Sequence, residues 1–252
     1  MSRFLGLLND LARFTDAEMA RPWTWPGHAG EALQLRDLHW RIVEAEQAAL
    51  VTAPVATTEP AAIMDLAQTA LGDLRGLLTG LPGMLLDREP DSGEWTLREV
   101  LAHVLLVERR YLRQVRYAAE RAETDPVYLR APLELQEEER AGDVADWLER
   151  LEQSRAESDA YCSRLPLEAL IRPTMWAGHE VDVRFRLHRF AAHLDEHRIH
   201  CQKVVRALGI EPTEAREIVR TLSGLRGSHE RRTPREELDS LDARHLALAA
   251  NA

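Results

Sequence analysis

Apolar residues recur every three or four positions along most of this chain, the period of an α-helix with one face turned to a core. Phe4, Leu7, Leu8, Leu11 and Phe14 mark a first helix over Arg3 to Phe14, broken at the turn-prone Arg21-Pro22-Trp23-Thr24-Trp25-Pro26-Gly27. Leu35, Leu38, Ile42, Val43, Ala49 and Leu50 share a stripe and predict a second helix over Glu31 to Leu50. Val51 to Pro60 holds two prolines and little to bury, and reads as a linker. A third helix, from about Ala61 to Leu81, places Ile63, Leu66, Ala70, Leu74, Leu77 and Leu78 on one side and stops at Pro82-Gly83.

Within Asp91-Ser92-Gly93-Glu94-Trp95-Thr96-Leu97-Arg98-Glu99, Thr96 with Glu99 three residues on has the form of a capping box. The helix it starts should run to about Arg121 and end before Pro126. Gly142 to Leu165 and Val181 to Leu208 read as two more, stopped by Pro166 and by Gly209 with Pro212. Shorter amphipathic stretches, Thr213–Leu222 and Pro234–Ala249, flank the glycine- and charge-rich Ser223–Thr233. No period-2 alternation lasts long enough for a sheet, so the predicted class is all-α, and the four long helices between Ala61 and Leu208 suit a four-helix bundle. The expected organisation is an N-terminal helical extension (1–58), the bundle (59–212) and a helical C-terminal tail (213–252). Met1–Leu50 is expected to pack as a hairpin on the bundle or on a neighbouring subunit, as in a homodimer.

Composition narrows the function. The 252 residues carry 32 basic and 42 acidic side chains, a formal net charge of −10. That balance argues against nucleic-acid binding, which relies on Lys and Arg neutralising phosphates, and Arg231-Arg232 is too short a patch to change it. Cys162 and Cys201 cannot form a disulfide framework. Met1 to Asp10 lacks the apolar run of a signal peptide, and no stretch reaches the length of a membrane span, so a cytoplasmic protein is expected. Lys203 is the sole lysine, an arginine bias that reads as genomic composition.

The chemistry concentrates in His188-Arg189-Phe190-Ala191-Ala192-His193-Leu194-Asp195-Glu196-His197-Arg198-Ile199-His200. At about 100° per residue, His193 and His197 share a helical face with His200, Arg186 and Arg189, whereas His188 and Asp195 point away. Two imidazoles one turn apart can present nitrogen ligands to one ion, but ten histidines in this length give about 0.4 such pairs by chance. Phe190, Val204 and Leu208 lie on the same side, so that side should face a core, where imidazoles need partners. His103, between Val100, Val104 and Val107 on the capped helix, is the candidate third ligand. His39 sits on another apolar stripe and reads as packing. His193-Leu194-Asp195-Glu196-His197 also fits H-x-x-E-H, but the large peptidase domain and downstream ligand that pattern needs are missing.

Glu94-Trp95-Thr96-Leu97-Arg98-Glu99-Val100-Leu101-Ala102-His103, followed by Leu187-His188-Arg189-Phe190-Ala191-Ala192-His193 and Glu196-His197, resembles the DinB/YfiT-like superfamily of metalloenzymes. The resemblance spans about Ala61 to Gly209. It implies an up-down-down-up four-helix bundle holding a divalent ion, nickel or zinc, on His103, His193 and His197. His200 stands where many members have glutamine, and is expected as a fourth ligand or a nearby donor.

Three neutral nitrogen ligands leave a position open for water or substrate. Characterised relatives include thiol-dependent S-transferases and isomerases, so the resemblance implies a small-molecule substrate and a low-molecular-weight thiol cosubstrate. Arg186 and Arg189 are expected either to anchor a carboxylate or to pair with surface acids. Glu99 is expected either to orient His103 or to serve the capping box alone, and Glu196 is the candidate general base. Nothing marks Cys201 as a nucleophile. The enzyme reading, an S-transferase or a hydrolase, stands against a non-catalytic, metal-stabilised bundle acting as a stress-response or interaction module. A cavity holding Arg186 or Arg189 beside an open ligand position favours the enzyme; a site closed by His200 favours the module.

Overall fold

The computed structural model describes residues 3–25, 30–91, 93–130 and 132–250. Pro26 and Gly27 of the expected turn, Ser92 of the expected helix start and both extreme termini lie outside the described residues. Helices α1 (Arg3–Ala12) and α2 (Asp16–Met19) are followed by a two-residue strand pair, β1 (Pro22–Trp23) with β2 (Leu33–Gln34), and by α3 (Leu35–Thr52). Next come α4 (Glu59–Leu78), α5 (Leu97–Glu120), the single turn α6 (Glu137–Arg140), α7 (Val144–Cys162) and the single turn α8 (Leu167–Leu170). An antiparallel hairpin, β3 (Pro173–Trp176) and β4 (His179–Asp182), leads into α9 (Val183–Ala207), α10 (Glu214–Gly227) and α11 (Arg235–Ala249).

The long helices begin where a side-chain oxygen can take up a free backbone N–H: Thr58, Thr96, Asp143, Asp182 and Thr213 all accept such bonds. The expected Thr96–Glu99 box is formed in both directions. The sequence missed the hairpins. Ala177 (φ 48°) and Gly178 (φ 88°) form a two-residue turn with both residues left-handed, the geometry that matches strand twist. Four-residue strands are too short for alternation to reveal them. Two helix limits also shift: α3 starts at Leu35 because Leu33 and Gln34 pair with β1, and α10 runs past Leu222 to Gly227. Leu66, expected on the core stripe of α4, is 53% exposed, and Met64, Ala67 and Leu71 fill that face instead.

The bundle consists of α4, α5, α7 and α9. Its sides pair α4 with α9, α9 with α5, α5 with α7 and α7 with α4, in up-down-down-up order. Residues 121–143 must carry the chain back along the bundle so that α5 and α7 can run the same way. Residues 163–182 then cross the diagonal from α7 to α9. Both long connections fold over the same cavity. Deeper in the bundle, Arg155 and Glu108 form a buried ion pair (2.7 Å), with the Arg155 guanidinium 4.8 Å from the Phe190 ring centre.

The helices near the two termini pack together. Helices α1 and α3 pack chiefly on α10 and α11 around Phe4, Leu8, Leu11, Ile42, Ile218 and Leu222. His39 is buried there, with ring nitrogens 3.2 Å from Leu35 O and 3.3 Å from Leu11 O, the packing role its stripe indicated. Helix α10 lies along α4 at very close range. A Cβ on Gly72 would come 2.5 Å from Ser223 O, and one on Gly227 would come 2.6 Å from Gln68 O, so this crossing needs glycine on both helices.

Candidate metal centre

Two helices bring three imidazoles together. Thr96 fixes the start of α5, and His103 stands on its inner side among Val100, Val104 and Val107, all buried. Asp182 caps α9, whose Leu187, Phe190 and Leu194 are buried beside His193. Because α5 and α9 are neighbours, His103 meets His193 and His197 with ligand atoms from all three within 4.8 Å of one another. Ring centres lie 4.3 Å apart for His193–His197, 4.7 Å for His103–His197 and 5.2 Å for His103–His193.

These residues fit a divalent cation. His103 Nε2 and His193 Nε2 are 3.2 Å apart, against about 3.3 Å for two nitrogens sharing a tetrahedral ion at bond lengths near 2.05 Å. His197 Nδ1 is buried without a hydrogen-bond partner among the described residues. The donor chemistry agrees, since a ligating imidazole must be neutral. Burial, then the neighbouring His197 and His103, push His193 down to about 3. Burial and His103 push His197 down to about 4, and burial lowers His103 as well.

The remaining expected site residues divide. His200 is turned away from the cluster, with Nε2 3.1 Å from Glu94 Oε2, and Lys203 holds the same carboxylate. The cluster therefore comprises three histidines without His200, whose ring an acid from the loop before α5 holds. Glu99 does not orient His103. Its Oε2 accepts from Thr96 N (2.8 Å) and Thr96 Oγ1 (3.1 Å), which leaves it the capping role alone.

Arg186, Arg189 and Glu196 do line a cavity of about 720 Å3 that opens beside the imidazoles. Their donors and acceptors are largely committed. Arg186 is buried and donates to Gln114 Oε1 and Met175 O, and Gln114 Nε2 donates to Tyr128 Oη (3.1 Å). Both Glu196 oxygens lie 3.0 Å from Arg189 Nη2, so the expected general base is held by a cation. The Arg186 and Arg189 guanidiniums stack 5.0 and 4.8 Å from the Trp176 ring centre. Arg189 thus takes one of its two expected roles, pairing with an acid, and Arg186 braces the wall through Gln114 and Met175.

Sequence reasoning overlooked several lining residues. Tyr111 is buried, its ring 5.6 Å from that of His193; burial raises its phenol's pKa, and the positive charge of Arg189 works against that rise. Arg110 and Tyr111 follow His103 by two helical turns, a spacing that could have revealed them. Trp176, Tyr128 and Arg130 come from the long connections, where periodicity carries no signal. On the far side of the cluster, Trp95 packs at 5.3 Å from His103. Cys162 and Cys201 are buried, with burial pushing both thiols up to about 12.

A sequence model described as the DinB superfamily matches residues 66–201, a span that includes all three histidines. The fold is similar to a solved structure whose title reads "YfiT from Bacillus subtilis is a probable metal-dependent hydrolase with an unusual four-helix bundle topology". That match has a TM-score of 0.50 at 15% identity, covering 63% of this chain and 92% of the other. No curated protein sequence matches the chain. Among the described residues, no helix is long and apolar enough to cross a membrane.

Proposed function

The chain belongs to the DinB superfamily, and on that premise we propose that it is a divalent-metal-dependent hydrolase acting on a small molecule, with His103, His193 and His197 as the ligands. The observation that carries this reading is the cavity beside the imidazoles: a structural staple needs a sealed site, whereas this cluster faces about 720 Å3 of open space. A divalent ion held there supplies Lewis acidity and acidifies whatever proton-bearing group it receives. The protein's own groups prepare the rest. Arg189, fixed by Glu196, sets its positive charge near the Tyr111 oxygen. The phenolic proton is left for an acceptor inside the cavity, where it can stabilise charge developing on a substrate oxygen. Arg186 and Gln114 hold the Tyr128 and Met175 segments, which limits the entry of bulk water.

The same space suits a thiol S-transferase, because it has room for a second small molecule and neither protein thiol reaches it, so the thiol would have to be a cosubstrate. Elemental analysis is expected to find one divalent ion, nickel or zinc, per chain, and to find it lost in His103→Ala and His193→Ala. Ester and amide hydrolysis, and conjugation with a panel of low-molecular-weight thiols, should each be assayed before and after chelation. Full metal retention by both variants would refute the ligand set. Turnover that needs a thiol would select the transferase.

A further inference from the structure

The cavity is cationic in an acidic protein. The chain carries a formal net charge of −10, yet the charged side chains lining this space are Arg110, Arg130, Arg186 and Arg189 against the single carboxylate of Glu196. The four arginines are not equivalent. Glu196 neutralises Arg189, and Arg186 is tied to Gln114 and Met175. Arg110 and Arg130 have neither an ion pair nor a hydrogen bond among the described residues. Arg110 is half-buried and Arg130 exposed at the cavity mouth, and an unpaired guanidinium in a concave site attracts oxyanions because it matches a carboxylate or phosphate with two parallel N–H donors.

Arg110 also has the right address. It follows His103 by seven residues, about 10 Å along the axis of α5 and within about 20° of the same face. A single molecule can therefore reach from the imidazoles to the guanidinium along one wall, between Val107 and the ring of Tyr111. We infer that the substrate carries an oxyanion, a carboxylate or a phosphate, received by Arg110 with Arg130 at the rim, while its reacting part lies at the three histidines. This rests on the metal-site reading and names the substrate class of that site. It assigns anion recognition to Arg110 and Arg130 in place of Arg186 and Arg189, whose donors are already engaged.

Isothermal titration with charged and neutral probes of matched length tests it. Hexanoate is compared with hexanamide, and butyl phosphate with butanol, on the protein as isolated and after chelation. The anion of at least one pair should bind about tenfold more tightly than its neutral counterpart, and the pair with the larger ratio identifies the head group. In Arg110→Gln the ratio should fall below about threefold, with circular dichroism and metal content unchanged. In the chelated protein a reduced preference should persist, which separates anions held by arginine from anions bound to the metal. If no metal is found yet the Arg110-dependent preference remains, the metal reading fails and this inference stands. Equal affinities within both pairs, dissociation constants above about 10 mM for both anions, or a preference untouched by Arg110→Gln, would overturn it.

Discussion

Glu46→Gln should destabilise the protein more than any other single-atom change in the terminal helices. Glu46 on α3 is fully buried, and its carboxylate receives Arg226 Nε at 2.6 Å, Arg226 Nη2 at 3.1 Å and His229 Nε2 at 2.7 Å. Arg226 also bonds Asp242 on α11 at 2.8 Å and stacks 3.9 Å from the Phe4 ring centre, so one cluster joins α1, α3, α10 and α11. Burial alone would raise the Glu46 pKa. The hydrogen bonds from His229 and Arg226 outweigh it and bring the group down to about 2. Relative to its ordinary 4.5, that is about 3 kcal/mol in favour of the charged form. Removing one member of a buried ion cluster costs a similar 3–5 kcal/mol, because the partner charge stays behind, here relieved in part by Asp242. A loss of about 3 kcal/mol lowers Tm by roughly 6–12 °C in a chain of this size. Urea unfolding followed by circular dichroism measures it, and metal content should not change, since the substituted residue lies in the terminal layer. A loss below about 1 kcal/mol would mean that desolvation cancels the pairing, and the reasoning would fail.

Two further predictions probe the packing and the pH response. Gly72→Ala should cost about 1–3 kcal/mol in chemical denaturation, because its Cβ meets Ser223 O at 2.5 Å and the helices must part. Gly224→Ala, with nothing within 4 Å of its Cβ, should instead gain up to about 1 kcal/mol, and equal outcomes for the pair would refute the close crossing. Burial lowers His245 from 6.5 to about 4, so above pH 6.5 it is neutral in both the folded and unfolded states and costs nothing. As pH falls from about 6.5 to 4 the unfolded chain takes up the proton first, and stability should drop by about 1.4 kcal/mol per pH unit from this group. His245→Leu should flatten that slope in denaturant titrations across the window. Glu46 adds the next loss, between about 4.5 and 2, as its carboxylate is protonated.

Local rules were legible in the sequence, and partners from distant segments were not. Thr96 and Glu99 are three residues apart, so their mutual cap follows from spacing, and it also settles which of two roles Glu99 plays. His193 and His197 follow from one helical turn, and His103 from its place on an apolar stripe, because burying an imidazole demands a partner. His200 has the same periodicity and lies outside the cluster, because Glu94, more than a hundred residues earlier, holds its ring. The Glu46 cluster draws on α3, α10 and α11, and no pattern within any one helix announces that union. Leu66, exposed on the expected α4 stripe, reflects the same limit: α4 packs against both α9 and α10, and which of its apolar residues those partners cover does not follow from its own spacing.

The topology explains why the cavity exists where it does. An up-and-down bundle with short loops would leave the ends of α5 and α9 bare, and the histidines would face solvent. Running α5 and α7 in the same direction requires the long return of residues 121–143, which delivers Tyr128 and Arg130. The diagonal crossing to α9 accommodates the β3–β4 hairpin, which delivers Met175 and Trp176. Arg186 joins these additions to the helices by bonding both Gln114 of α5 and Met175 of β3. The rigid helices thus carry the ligand set and the connections carry the wall. Substituting Trp176 should accordingly alter which molecule binds, while leaving the three imidazoles and their ion in place.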